Sequence, residues 1–179
     1  MDKSGLFLIG PVEGHGTEFS KLITMMNFTR ITTLEEVKNL TIDELDFQFD
    51  EEANTIGMLL SHLVAVERGY QIETFQGRYV SKEEIEELNP SLQLGKDAHC
   101  IRGNHIKFYL NELHMVRQQT LETFKTLPDE WLFIESPFWG GKMANNYFKW
   151  FHVFEDELNH RGQIRLIKKM YQRQKTVNL

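Results

Sequence analysis

Asp156 and His160 stand four residues apart in the segment Phe151-His152-Val153-Phe154-Glu155-Asp156-Glu157-Leu158-Asn159-His160-Arg161-Gly162-Gln163. On a helix, positions i and i+4 lie one above the other, so a carboxylate and an imidazole at this spacing can close on one cation from one face. The periodicity predicts such a helix from about Asn145 to Gln172, with two apolar stripes. Tyr147, Phe151, Phe154 and Leu158 form the first; Val153, Ile164, Ile167 and Tyr171 form the second. Asp156 and His160 fall within the second stripe and are expected to point into the core. Burying an unpaired charge costs several kcal/mol in effective terms, so a partner is required. A metal ion would supply one, as would an internal salt bridge or hydrogen bond, and spacing alone does not choose among them. The aromatic first stripe packs either inside the monomer or against a second copy.

Two ligands on one helix hold a cation poorly, so a third has to come from elsewhere. His62 is the best candidate, flanked by Leu59, Leu63 and Val66 on a second helix, although a hydrogen-bonded core histidine fits the same position. The other histidines are less persuasive. His15 and His99 lie near helix starts or loops, and His105 and His114 are nine residues apart, on different faces of their helix. His152, four residues before Asp156, is two turns from His160, so it would replace His160 or stay outside the site.

The elements that must position these residues are helical. A first helix is expected from about Thr17 to Leu40, with continuity in doubt across the β-branched stretch Thr29 to Thr33. Thr41-Ile42-Asp43-Glu44 has the capping-box pattern of a short helical turn. The second helix is expected from about Thr55 to Phe75, stopping at Gly77. Ser81-Lys82-Glu83-Glu84 starts a short helix that Asn89-Pro90 should end, inside a connection from Gly77 to Cys100 that is long for a bundle. Such a connection is either a lid or binding loop, or a tolerated surface insertion. A third helix is expected from roughly Ala98 to Leu127, closed by Pro128, and Trp131 to Gly141 reads as a loop or short hairpin. Four long helices without a recurring unit predict an all-α, antiparallel-type bundle, one domain over residues 1–179.

Composition narrows the function classes. A chain of 179 residues buries a core without disulfide staples, and its single Cys100 fits a reducing compartment. Neither a signal peptide nor a membrane span is supported by the N-terminus, so a cytoplasmic protein with no membrane association is expected. The net charge of −6 argues against a nucleic-acid partner. Arg161, Arg165, Lys168, Lys169, Arg173 and Lys175 make the chain end basic, where cations complement a helix dipole.

Asn54-Thr55-Ile56-Gly57-Met58-Leu59-Leu60-Ser61-His62-Leu63, followed by Glu67, and the segment from His152 to Ile164 with its His-Arg-Gly-Gln ending resemble the paired signatures of the DinB-like family. Weaker similarity runs from about Thr17 to Lys169, and Leu40 to Asp46 resembles that family's link between its first two helices. The resemblance implies a four-helix bundle, often a homodimer, with a divalent metal held by one histidine of helix two and two residues of helix four. Those positions are His62, Asp156 and His160 here. The family usually has histidine where this chain has Asp156. Two histidines and a carboxylate still make an open site for nickel or zinc foremost, or manganese or iron, though a harder and more anionic one, so metal identity or occupancy is expected to shift. Glu67 reads either as a group supporting the site or taking part in acid/base chemistry, or as a solvated surface residue.

Two function classes follow from that resemblance, whose members include bacillithiol- and mycothiol-dependent transferases and isomerases, and many proteins with no assigned reaction. One is a metal-dependent thiol S-transferase or hydrolase acting on a small molecule, with a low-molecular-weight thiol as partner. The other is a non-catalytic, stress-related binding protein with a structural or degenerate metal site, its coordination completed by His152, Glu155 or a residue of the long connection.

Overall fold

The computed structural model describes residues 5–177. Four long helices, α1 (Thr17–Val37), α3 (Ile56–Tyr70), α5 (Ile106–Phe124) and α6 (Asn146–Val177), make an all-α bundle. Two short helices, α2 (Ile42–Leu45) and α4 (Lys82–Gln93), lie in the connections. A two-stranded hairpin, β1 (Glu135–Pro137) against β2 (Met143–Asn145), precedes α6. Helix α6 packs on α1 and α3, and α3 also packs on α5.

Local chemistry explains where the boundaries fall. Helix α1 runs unbroken through Thr29 to Thr33, where the threonine hydroxyls find acceptors in the preceding turn: Thr29 Oγ1 donates to Met25 O at 3.1 Å and Thr33 Oγ1 to Thr29 O at 3.0 Å. Its first turn is capped from far along the chain. The Asp129 carboxylate accepts from the backbone N–H of Glu18 and Phe19 at 3.0 and 3.1 Å, and it lies so close that a Cβ on Gly16 would sit 2.3 Å from Asp129 Oδ1. Both expected capping boxes form, with Thr41 and Ser81 accepting from the N–H of Glu44 and Glu84.

Helix α3 ends in a wide π turn, Gln71–Phe75, a geometry that displaces side chains from the regular helical face. Pro90 lies inside α4 instead of ending it; the helix stops at Leu94, in the left-handed region at φ 58, followed by Gly95 at φ 60. Residues Gly95–Cys100 form a separate 3-10 turn, so α5 begins at Ile106 rather than near Ala98. The hairpin turns through Gly140 and Gly141, both at positive φ.

The core has two apolar clusters. One gathers Leu45, Ile56, Leu59, Leu63, Leu113 and Ile164; the other gathers Phe19, Leu22, Met26, Phe124, Trp150 and Val153. A charged network of Arg30, Glu67, Arg117 and Glu157, all buried, bridges them, since Arg30 also donates to Leu113 O and Arg117 to Met26 O. The first stripe of α6 divides: Phe154 is buried, whereas Phe151 and Leu158 are exposed. Among the described residues no helix is long and apolar enough to cross a membrane.

Candidate metal centre

The packing of α3 on α6 brings His62, Asp156 and His160 together, with one potential ligand atom from each lying within 4.8 Å of the others. His62 Nε2 is 3.4 Å from Asp156 Oδ2, and His160 Nε2 is 3.3 Å from Asp156 Oδ1. The imidazole rings meet edge to face, centroids 4.8 Å apart. The side chains are 12, 18 and 10 % exposed for His62, Asp156 and His160, so the group is largely enclosed without being sealed.

The far side of each ring sets its tautomer. His62 Nδ1–H donates to the carbonyl of Ser91 at 2.8 Å, and His160 Nδ1–H donates to Gln163 Oε1 at 3.0 Å. Each Nε2 is then left with a lone pair aimed at the carboxylate, the orientation in which metal-bound histidines are held by outer partners. Asp156 Oδ2 is buried without a hydrogen-bond partner. Several acceptors thus converge with too few protons among them, which is costly unless a cation stands there. Ligand atoms bonded to one tetrahedral cation at about 2.0–2.2 Å lie roughly 3.4 Å apart, so binding would draw the widest pair of the trio together by about an ångström. Two imidazoles and one carboxylate suit a divalent transition metal and leave positions free.

Without metal, the same atoms form an ion pair. Burial pushes the Asp156 carboxyl up, but the adjacent His160 and His62 imidazoles outweigh it and hold Asp156 well below the usual carboxylate range. Burial pulls His160 down, while Asp156 and Gln163 more than compensate and raise it. A proton on His160 therefore competes with metal for Nε2, and metal uptake should strengthen as pH rises through the histidine range.

One side of the centre is open. His62 and Asp156 line a cleft of about 480 Å³ together with Val66, Tyr70, Leu92, Trp139 and His152. Glu73, in the π turn, stands at the same cleft and is pinned by the buried Lys149, whose Nζ lies 2.5 Å from Glu73 Oε1 and 2.6 Å from Ser136 Oγ. That lysine ties the hairpin and the π turn to α6. Burial, with Glu73 and Asp156 nearby, pushes the Tyr70 phenol far up, so it serves as a hydrogen-bond donor rather than a base.

Neither His152 nor Glu155 completes the trio; they bond to each other, His152 Nδ1 to Glu155 Oε2 at 3.0 Å. Glu67 is fully buried and held by Arg30, Arg117 and Thr120, which rules out the solvated reading. Sequence reasoning missed Ser91 and Trp139. Ser91 belongs to the Gly77–Cys100 connection, which thereby reaches the centre, and no spacing signal marks either residue.

Gln163→Ala should weaken divalent-metal binding about tenfold by freeing the His160 ring, the low end of the range for outer-partner losses because Gln163 is exposed. Competition titration against a chromophoric chelator measures it; an unchanged affinity would remove Gln163 from the site.

In comparison with known proteins, a family model described as Mycothiol-S-transferase matches residues 21–172. No curated protein matches the chain.

Proposed function

The chain belongs to the mycothiol S-transferase family, and from that premise we propose that it is a cytoplasmic, single-domain, metal-dependent enzyme that joins a low-molecular-weight thiol to a small electrophile. One observation carries this reading: His62, Asp156 and His160 converge with an orphaned carboxylate oxygen beside an open cleft. Two imidazoles and a carboxylate suit zinc or nickel, and iron(II) as well.

A divalent metal in such a site lowers the pKa of a thiol or water placed at an open position, supplying a nucleophile near neutral pH. The chain's own residues do the rest. Ser91 and Gln163 fix the imidazoles, and Asp156 contributes the negative charge that a divalent cation requires. Val66, Leu92, Tyr70 and Trp139 give the cleft apolar and aromatic walls, which hold an uncharged electrophile and limit access of water.

A screen of purified, metal-loaded protein with small thiols and electrophiles tests the proposal. Metal-dependent conjugation is expected, and its absence across the screen would overturn the transferase reading. The non-catalytic alternative has one observation in its favour, the Asp156–His160 contact that needs no metal. It gives no role to the cleft.

A further inference from the structure

His152 is the ionisable group of the cleft that neither the metal centre nor the core accounts for. It lies four residues before Asp156 on α6, about 6 Å along the helix axis, and it lines the same cleft as His62 and Asp156. Its ring stands edge-on to two aromatic walls, 4.9 Å from Trp139 and 6.1 Å from Tyr70 between centroids. Behind it runs a short chain of hydrogen bonds on the outer side of the helix. Asn159 Nδ2 donates to Glu155 Oε1 at 2.5 Å, and Glu155 Oε2 accepts from His152 Nδ1 at 3.0 Å. The carboxylate fixes the tautomer: the proton sits on Nδ1, and the Nε2 lone pair has no protein partner among the described residues. An imidazole backed by an oriented carboxylate and facing a substrate cleft is the arrangement of a general base.

The other ionisable groups of the cleft are committed. Asp156 and His62 belong to the metal centre, Glu73 is bound to Lys149, and Tyr70 holds its proton too tightly.

We infer that His152 is the catalytic acid/base of the transfer reaction, with Glu155 as its positioning residue; this rests on the thiol-transferase reading above. With an aryl halide as electrophile the step balances simply. The thiol S–H proton passes to His152 Nε2, the thiolate sulfur forms a C–S bond at the halogen-bearing carbon, and the C–halogen bond breaks with its electron pair leaving as halide. His152 then gives the proton to water.

The experiment compares cobalt-loaded wild type, His152→Gln and Glu155→Gln, using 2-mercaptoethanol as thiol and 1-chloro-2,4-dinitrobenzene as electrophile. Thiol binding is followed by the cobalt absorption spectrum, and turnover is compared between 2-mercaptoethanol and the more acidic thiophenol. All three proteins should bind metal and thiol. With 2-mercaptoethanol the kcat of His152→Gln should fall about 100-fold with little change in KM, and Glu155→Gln should show a smaller loss of the same kind. With thiophenol, which ionises with less help from a base, the defect of His152→Gln should shrink. Equal kcat in wild type and His152→Gln with both thiols would overturn the inference while leaving the transferase reading intact. Loss of metal from His152→Gln would overturn it too, by making His152 part of the metal centre. Failure of the wild type to bind the thiol would sink both readings together.

Discussion

Protein purified without chelators or an affinity tag should carry near-stoichiometric divalent metal, and His160→Ala should lose most of it. The expected loss is large because the trio is drawn from only two helices, α3 and α6. Without His160, the cation would be left with His62 and Asp156, one ligand from each helix. Removing a mere outer partner costs about 10–100-fold in affinity, so deleting a ligand should cost more than about 100-fold. Thermal melting gives an independent readout. A ligand that binds only the folded state at 100 times its Kd stabilises by about 2.7 kcal/mol, so added metal should raise the melting temperature of wild type and not that of the variant. Asp156→His, which installs the residue usual in the resembling family, should retain metal and shift its preference toward softer ions. Equal and negligible metal in wild type and His160→Ala would remove the metal hypothesis and leave the Asp156–His160 contact as an ordinary ion pair.

The convergence of His62, Asp156 and His160 was legible because helical periodicity converts sequence spacing directly into geometry. Four residues on α6 put Asp156 and His160 on one face, and an apolar stripe fixed which face that is. His62 stood out as the best third candidate from its place beside Leu59, Leu63 and Val66, and the family signature made that choice specific. What the spacing could not reveal were partners supplied across the fold. Ser91 reaches His62 because α4 folds back along α3, and Trp139 reaches the cleft on a hairpin turn. Local propensity also lost to context twice. Thr29 to Thr33 left the continuity of the first helix open, yet α1 runs through them with their hydroxyls bonded inside it; Pro90 looked like a stop, yet α4 continues to Gln93. Glu67 was misleading for a related reason. Its neighbour Arg68 is polar and partly exposed, while the arginines that bury and neutralise Glu67 come from α1 and α5.

Glu67→Ala should destabilise the protein by about 3–5 kcal/mol, the usual cost of removing one partner from a buried charge network. The geometry argues for the upper part of that range. Glu67 accepts four hydrogen bonds: from Arg117 Nε at 2.8 Å, Thr120 Oγ1 at 2.7 Å, and Arg117 Nη2 and Arg30 Nη2 at 3.1 Å each. Without it, two buried guanidinium groups face each other across Glu157 alone. For a chain of this size each kcal/mol shifts the melting midpoint by about 2–4 °C, so a fall of roughly 6–20 °C is expected by calorimetry. Acid dependence supplies a second test. Burial pushes the Glu67 carboxyl up, but Arg117, Arg30 and Thr120 outweigh it and hold its folded value below the ordinary carboxylate value. Protonation therefore favours the unfolded chain: the contribution is fully present above the unfolded value and fades as pH falls toward the folded one. The gap between wild type and Glu67→Ala should stay constant around neutrality and narrow only in acid, and a gap unaffected by acid would mean that packing, not charge, supplies the stability. The network also joins the helices that carry the metal centre, since Glu67 follows His62 on α3 and Glu157 adjoins Asp156 on α6. Glu67→Ala should therefore weaken metal binding as well, whereas replacing Arg30, Glu67 and Arg117 together by apolar residues of similar volume should restore much of the stability.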